Sequence, residues 1–487
     1  MKHTLLYLTV LISTEVTAQN WQGKASQTLL DQLTQTEQVE MLVTFHAPKV
    51  PLNSGSFNNH TDRLQHQVSV LKNQTRLAQQ QVIKHLESQQ IIYRSFWINN
   101  SLLVTVNQQQ MAEILEFDEI KSAHSNLPHQ INIPNANGSA VKSINGIEWN
   151  VSMVNAPQAW GLGHTGQGIV VAGQDTGYQW NHPAIINQYR GWDGQTADHH
   201  YNWHDSINNP TVSCGSAPCD DHGHGSHTMG TIVGDDGGSN QVGVAPDARW
   251  IGCRNMDVGN GTPATYTECF QWFMEPTDLN GNNPDITKAP HIINNSWGCP
   301  GFEGCTEPDV LLNTVENVVD AGILVVVAAG NDGSSCQTIN TPAAIYQASL
   351  TVGSTTSSDV ISGFSSRGQI TVDGSNRIKP DLSAPGSSVR SANNSGSYST
   401  FSGTSMASPN VAGVAALVMS ANHQMIGQPR MVKHILTQTA VAKTTNQDCG
   451  GVDGSSIPNN TYGHGRIDAL AAVNYARDLI YYHDFNE

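Results

Sequence analysis

Residues 322–331 read GILVVVAAGN, an apolar run of strand length that stops at a glycine and then delivers Asn331. A run with no polar alternation suits a strand covered on both faces, the condition of a parallel strand in an α/β sheet. Residues 168–177, GIVVAGQDTG, repeat the pattern and deliver Asp175. A third stretch, FSGTSMASPNVAGVAALVM at 401–419, places Ser405 among Gly403, Thr404, Ala407 and Ser408. The segment that follows is hydrophobic nearly all round, so it is predicted to be a buried central helix opened by that serine. Together these stretches predict an α/β fold over 147–475, a doubly wound, mostly parallel sheet flanked by helices.

The remainder of the chain is organised around that domain. Residues 20–126 combine the alternating VEMLVTFHAP with RLQHQVSVLKNQTRLAQQQVIKHLESQ, whose apolar residues fall at helical spacing. The segment SLLVTVNQQQMAEILEFDEIKSAHS then reads strand, helix, strand, which predicts a small α+β module. Residues 127–146 are rich in Asn, Pro, Ser and Gly and read as an exposed linker. Residues 476–487 form a short tail.

The amino terminus, MKHTLLYLTVLISTEVTAQN, has a positive start, an apolar core and a small-residue exit at Val16-Thr17-Ala18. This predicts a signal peptide over 1–18 and a secreted protein, extracellular or periplasmic. No other stretch is long and apolar enough for a membrane span. A net charge of −17 with 13% charged residues argues against nucleic acid or an anionic membrane as partner. Export gives the eight cysteines a use as disulfides. CGSAPC and CPGFEGC suggest local bridges Cys214–Cys219 and Cys299–Cys305, with the other four cysteines left unassigned.

In open α/β sheets chemistry collects at the carboxyl ends of the strands. Asp175 and Asn331 stand at two such ends, and His224 in DDHGHGSHTMG begins a helix-like run. A serine hydroxyl is a poor nucleophile at neutral pH and needs an adjacent base. His224 could take the Ser405 proton, Asp175 could hold the imidazole, and Asn331 could donate to the developing oxyanion.

The blocks GQDTGYQWNHPA, HGSHTMG, NNSWG, AAGND and SGTSMASPNVAG, in this order, resemble those of the subtilisin-like serine peptidases, the subtilases. The resemblance covers about 147 to 475 and ends in GHGRIDALAAV. It implies a serine endopeptidase with the triad Asp175, His224 and Ser405, and Asn331 in the oxyanion hole. Ser296, Trp297 and Gly298 would pair with substrate backbone, and Ala328, Ala329 and Gly330 would wall the side-chain pocket. Residues 20–126 resemble, more weakly, an inhibitor-like propeptide. That implies a zymogen whose own propeptide inhibits it and which cuts itself between about 125 and 147. Trp297 stands where the family usually has a smaller aliphatic residue, and either reshapes an upstream subsite or packs. No Asp or Glu in the matched pocket segments marks a basic-residue preference, so the expected partners are proteins and peptides generally.

No cofactor is expected for catalysis. His222, His224 and His227 lack the spacing of a zinc-binding helix face. Structural calcium is possible from the resemblance, but the familiar aspartate nine residues after Asp175 is Ala184. DLNGNNPD at 278–285 offers oxygen atoms yet reads as a turn, so metal ligands stay unassigned. Asp220 and Asp221 read as solvated loop charges. A selective processing protease and an idle peptide-binding protein are the rival functions. An esterase is disfavoured because Ser405 lacks a Gly-x-Ser-x-Gly elbow.

Overall fold

The computed structural model describes residues 20–46, 57, 59–131, 133, 146–208, 210–298 and 307–483. The predicted signal peptide, the proposed Cys299–Cys305 bridge and most of the linker lie outside the described residues.

The amino-terminal module begins with α1 (Gln27–Leu33) and β1 (Val39–Phe45), followed by the long α2 (His60–Ser88). It continues through β2 (Tyr93–Phe96), β3 (Ser101–Val106), α3 (Gln108–Leu115) and β4 (Ile120–Ser125). The strands form an antiparallel sheet in the order β2-β3-β1-β4. Asn107 opens α3 with a reciprocal cap: its side chain accepts from Gln110 N, and the Gln110 side chain accepts from Asn107 N. After β4 the chain leaves the sheet and forms the short β5 (His129–Gln130).

The larger domain opens with α4 (Trp149–Met153), α5 (Ala156–Trp160), β6 (Val170–Asp175), β7 (Trp203–Asp205), α6 (His224–Val233) and β8 (Arg249–Arg254). Next come β9 (Met256–Asp257), β10 (Asn260–Gly261), α7 (Pro263–Met274), β11 (Ile292–Asn295), α8 (Leu312–Asp320) and β12 (Leu324–Ala328). The rest comprises β13 (Leu350–Thr355), β14 (Leu382–Pro385), β15 (Val389–Ala392), β16 (Tyr398–Phe401), α9 (Thr404–Ala421), α10 (Pro429–Gln438) and α11 (Ala469–His483).

Seven strands make one sheet in the order β14-β13-β12-β11-β6-β8-β7, and every neighbouring pair is parallel. The predicted strands at 168–177 and 322–331 are β6 and β12, and β12 is buried at every position. Strand order reverses between β6 and β11, so their carboxyl ends frame a crevice at the switch point. Helix α9 is buried from Thr404 through Ser420. Gly413 lets it approach the loop after α6, where an added Cβ would lie 2.6 Å from Val244 Cβ. Among the described residues three disulfides join Cys214–Cys219, Cys253–Cys269 and Cys336–Cys449. No helix among the described residues is long and apolar enough to cross a membrane.

The module lies against the larger domain through α2 and β2. Leu64, Val68, Leu71, Phe96 and Ile98 share one apolar cluster with Phe270, Phe273, Val315 and Val319. Polar contacts fix the register: Trp97 and Ile98 N–H donate to Gln271 Oε1 at 2.7 and 3.2 Å, and Asn317 Nδ2 donates to Ile98 O at 2.6 Å.

Candidate active site

Asp175 ends β6 and His224 begins α6, both essentially without solvent exposure. His224 Nδ1 lies 2.7 Å from Asp175 Oδ1. A carboxylate only accepts, so Nδ1 carries the proton and Nε2 the lone pair. Asp175 is held in turn by Thr176 N–H at 2.7 Å and Thr228 Oγ1 at 3.3 Å. Helix α6 comes this close because residue 225 is glycine: an added Cβ would lie 2.0 Å from Gly177 O. His224 Nε2 is buried and has no hydrogen-bond partner among the described residues.

Ser405 sits at the start of α9, and its Oγ donates to Ser296 O at 2.7 Å. Pro409, one turn on, has no N–H to give the Ser405 carbonyl. Ser296 Oγ donates to that carbonyl instead, at 3.0 Å. Two reciprocal bonds therefore tie the end of β11 to the turn that carries Ser405. Asn331 Oδ1 accepts from Thr404 N and Thr404 Oγ1 at 2.9 and 3.0 Å, which fixes the amide plane and makes Nδ2 the end that can donate toward the site.

Ser405, Asn331, Trp297, Gly298, Ala328 and Gly330 line a single cavity of about 30 Å³, together with Thr341, Thr404, Asp332 and Ile131. Ala329 instead packs in the core, fully buried, with its N–H on Val352 O. Trp297 lines the cavity and packs, its ring stacked on Tyr266 with centroids 3.8 Å apart. Asp332 also lines the cavity, an acid just outside the matched Ala328-Ala329-Gly330 segment. It lies inside the quoted AAGND, one residue past the candidate oxyanion asparagine.

Other residues were missed because their partners are distant in sequence. Asp220 is buried, contrary to the expectation of a solvated charge. It accepts from Thr176 Oγ1 at 2.8 Å, Gly223 N at 2.7 Å and Ser226 Oγ at 2.6 Å, clamping the start of α6 to the end of β6. A carboxylate just before a helix start is the one local signal that could have found it. Asp221 is also enclosed, paired with the buried Arg254 and accepting from Val258 N–H at 3.0 Å. His227 is a packed histidine: burial and neighbouring His224 push it down to about 3, and its ring stacks on Phe401. His222 lies on the loop before α6.

Ala184 does not fit a calcium site. It is fully buried and apolar, and its backbone N–H and carbonyl are already bonded to His182 Nδ1 and Asp235 N. Asp278 closes its own turn, accepting from Asn280 N, Asn282 N and Asn283 Nδ2 at 2.9 Å each. Among the described residues no group of three or more His, Cys, Asp or Glu side chains could hold a metal.

A serine hydroxyl at a buried helix start, a carboxylate-held imidazole and an oriented amide, gathered at the switch point of a parallel sheet, define the class of a nucleophilic hydrolase. Comparison with known proteins narrows the class. Residues 166–465 match the model of the Subtilase family. The chain is 34% identical over 436 residues to Bacillopeptidase F of Bacillus subtilis, covering 84% of this chain. It spans only 28% of the length of that relative. Serine protease AprX of the same organism is 34% identical over 334 residues, covering 63% of this chain and 67% of the relative. The crystal structure of an epidermin leader peptide processing serine protease from Staphylococcus aureus shares the fold. Its TM-score is 0.64 at 17% identity, over 91% of this chain and 99% of that one. The chain belongs to the subtilase family of serine proteases.

Proposed function

We propose that the chain is a secreted serine endopeptidase, made as a zymogen that cuts itself. The observation that carries the self-cutting part is the course of the chain after the amino-terminal module. Strand β5 pairs antiparallel with β10, Gln130 opposite Asn260 and His129 opposite Gly261, and Ile131 N–H donates to Gly259 O at 2.8 Å. Ile131 then lines the cavity that also holds Ser405. A protein's own segment lies in the groove as an added strand, which is how an extended substrate would bind.

In this reading His224 Nε2 takes the Ser405 proton as Oγ leaves the Ser296 carbonyl and attacks the scissile carbonyl. Asp175 keeps the imidazole in the receptive tautomer and stabilises its charged form. Asn331 Nδ2 donates to the oxyanion, and the protonated His224 gives its proton to the leaving amine. Water then releases the acyl group by the same base. Every proton transfer is assigned to groups of the chain itself, and the substrates are proteins and peptides. Export is supported by the amino-terminal segment and by the three disulfides.

Expression without residues 1–18, followed by sequencing of the new amino terminus, tests the self-cutting. The expected start lies within about five residues after Ile131, since Ile131 lines the cavity that Ser405 also lines. A start before β5, or an uncut active protein, sinks the zymogen reading. Asn331→Ala is expected to lower kcat about 10²-fold, close to 3 kcal/mol, with KM little changed. An equal loss carried wholly by KM would remove Asn331 from the oxyanion role.

A further inference from the structure

We propose that Gln174, Asn255 and Asn295 are positioning residues that set the distance between the two halves of the active site. The proposal rests on the peptidase reading above and names further residues for the same reaction. Asp175 ends β6 and holds His224, whereas Ser405 is tied to the end of β11 by its two bonds with Ser296. The backbone ladder between β6 and β11 stops at Gly173 opposite Asn294, before the strands reach Asp175 and Ser296. At the next step of the register a side-chain bond takes over: Gln174 Nε2 donates to Asn295 Oδ1 at 2.6 Å. On the other flank Asn255 Nδ2 donates to Gln174 Oε1 at 2.8 Å, and Asn255 N–H donates to Asp175 O at 2.9 Å. Asn295 Nδ2 extends the chain to Val326 O of β12 at 3.0 Å. One run of amides thus joins β8, β6, β11 and β12 across the switch-point crevice.

All three side chains are fully buried. Successive residues of a strand point to opposite faces, so Gln174 projects away from Asp175 and acts through backbone rather than on substrate. Stability is a weak reason for the trio. Apolar side chains of similar volume would fill the same space, and a buried polar atom that lacks a partner costs free energy. Asn255 Oδ1 is such an atom, with no partner among the described residues. What the amides supply, and apolar side chains do not, is a bond of fixed length and direction. Adjacent strands twist relative to one another, so β6 and β11 diverge once their ladder ends unless something spans the gap. The Ser405 proton must cross that gap to reach His224. His224 Nε2 has no hydrogen-bond partner among the described residues, and Ser405 Oγ rests on Ser296 O. Their approach is therefore set by the strand ends that carry them, and a displacement on the order of 1 Å costs about 10²-fold in rate.

The test uses the self-matured enzyme, with each variant titrated by a fluorophosphonate so that kcat on a peptide is read per functional serine. Gln174→Met and Asn295→Leu nearly keep the volume but cannot bridge the strands. Each is expected to lower kcat roughly tenfold with KM within about twofold of wild type. The double variant should fall little further, because both changes break the same bond. Asn255→Leu removes the unpaired oxygen and leaves the Gln174–Asn295 bond, so it is expected to lower kcat by only about threefold. It is the variant to read if the other two do not fold. A merely structural trio would lower the unfolding temperature and the titrated fraction while kcat per serine stayed at the wild-type value. That result in any variant that folds, a loss carried by KM, or losses that multiply in the double variant overturns the proposal while the peptidase reading stands. A wild type that cleaves no peptide and takes up no fluorophosphonate sinks the peptidase reading instead, and this proposal with it.

Discussion

Ser405→Ala is expected to stay at full length after removal of the signal segment and to lose casein hydrolysis by on the order of a millionfold in kcat. The size follows from the geometry. Ser405 Oγ stands at the start of α9 and lines the cavity beside Asn331, whereas the neighbouring Thr404 hydroxyl is tied to Gly330 O and Asn331 Oδ1. In the proposed mechanism the Asp175–His224 pair has nothing to activate without the Ser405 hydroxyl, so the three groups are expected to fail as a unit rather than additively. Little stability should be lost, because the two bonds to Ser296 divide unequally. Removing Oγ ends its bond to the Ser296 carbonyl, but Ser296 Oγ still reaches the Ser405 carbonyl and Ser408 Oγ at 3.0 and 2.9 Å. Mass spectrometry of the secreted chain and a casein assay read the two effects separately. A mutant that still loses its first module, in the absence of any other protease, would place the cut with a different nucleophile. Retained casein hydrolysis would remove Ser405 from the chemistry altogether.

Much of the site was legible because its groups sit at the ends of locally readable elements. The apolar run at 322–331 announces a strand covered on both faces, and Asn331 is where it stops. GIVVAGQDTG does the same for Asp175, and the small residues around Ser405 announce a crowded helix start. What stayed hidden depends on contacts between residues far apart in sequence. Asp221 reads as a surface charge until Arg254, 33 residues away, is folded over it. Cys253 and Cys269 lie 16 residues apart and Cys336 and Cys449 lie 113 apart, so no spacing rule selects those pairs. Asp332 was in full view, but whether an acid after Asn331 faces water or the cavity depends on the path of the next loop. The landing of β5 on β10 was hidden for the same reason, since two residues of strand carry no periodicity.

Between pH 7 and pH 4 the cleaved module is expected to loosen from the catalytic domain by about a hundredfold in affinity. His60 opens α2 and is wedged against Gly322 and Gly427; a Cβ added to Gly322 would lie 2.8 Å from the imidazole Cδ2. Its ring centre is 5.9 Å from that of His291, the residue before β11. Burial, then the charge of Arg63, lowers His60 to about 4. Burial, then His60, Arg190 and His423, lowers His291 to about 4. The groups facing the pair are therefore mostly cationic: Arg63 on its own helix, Arg190 and His423 from the catalytic domain, and Arg430 behind. Asp320 at the end of α8 is the acid nearby, and it is already paired with Arg430 at 2.6 Å. Arg63 spends its donors on the carbonyls of Asp320 and Gly427, at 2.7 and 2.8 Å. Separated, His60 takes up its proton near pH 6.5, whereas docked it resists until about 4; His291 keeps Arg190 and His423 beside it in either state. The docked state thus binds fewer protons, so affinity is full above about pH 6.5 and declines as the pH falls toward 4. His60 alone, released from about 4 to the ordinary imidazole range, accounts for about 3 kcal/mol at pH 4. Gel filtration of the processed complex, its serine blocked by a sulfonyl fluoride, should show co-elution at pH 7.5 and separation at pH 4. His60→Phe keeps an aromatic ring in the wedge but cannot charge, and should hold the complex together to lower pH. A complex that separates equally at both pH values, or a His60→Phe complex that releases at the same pH as wild type, would show that the seam is held without regard to these two rings.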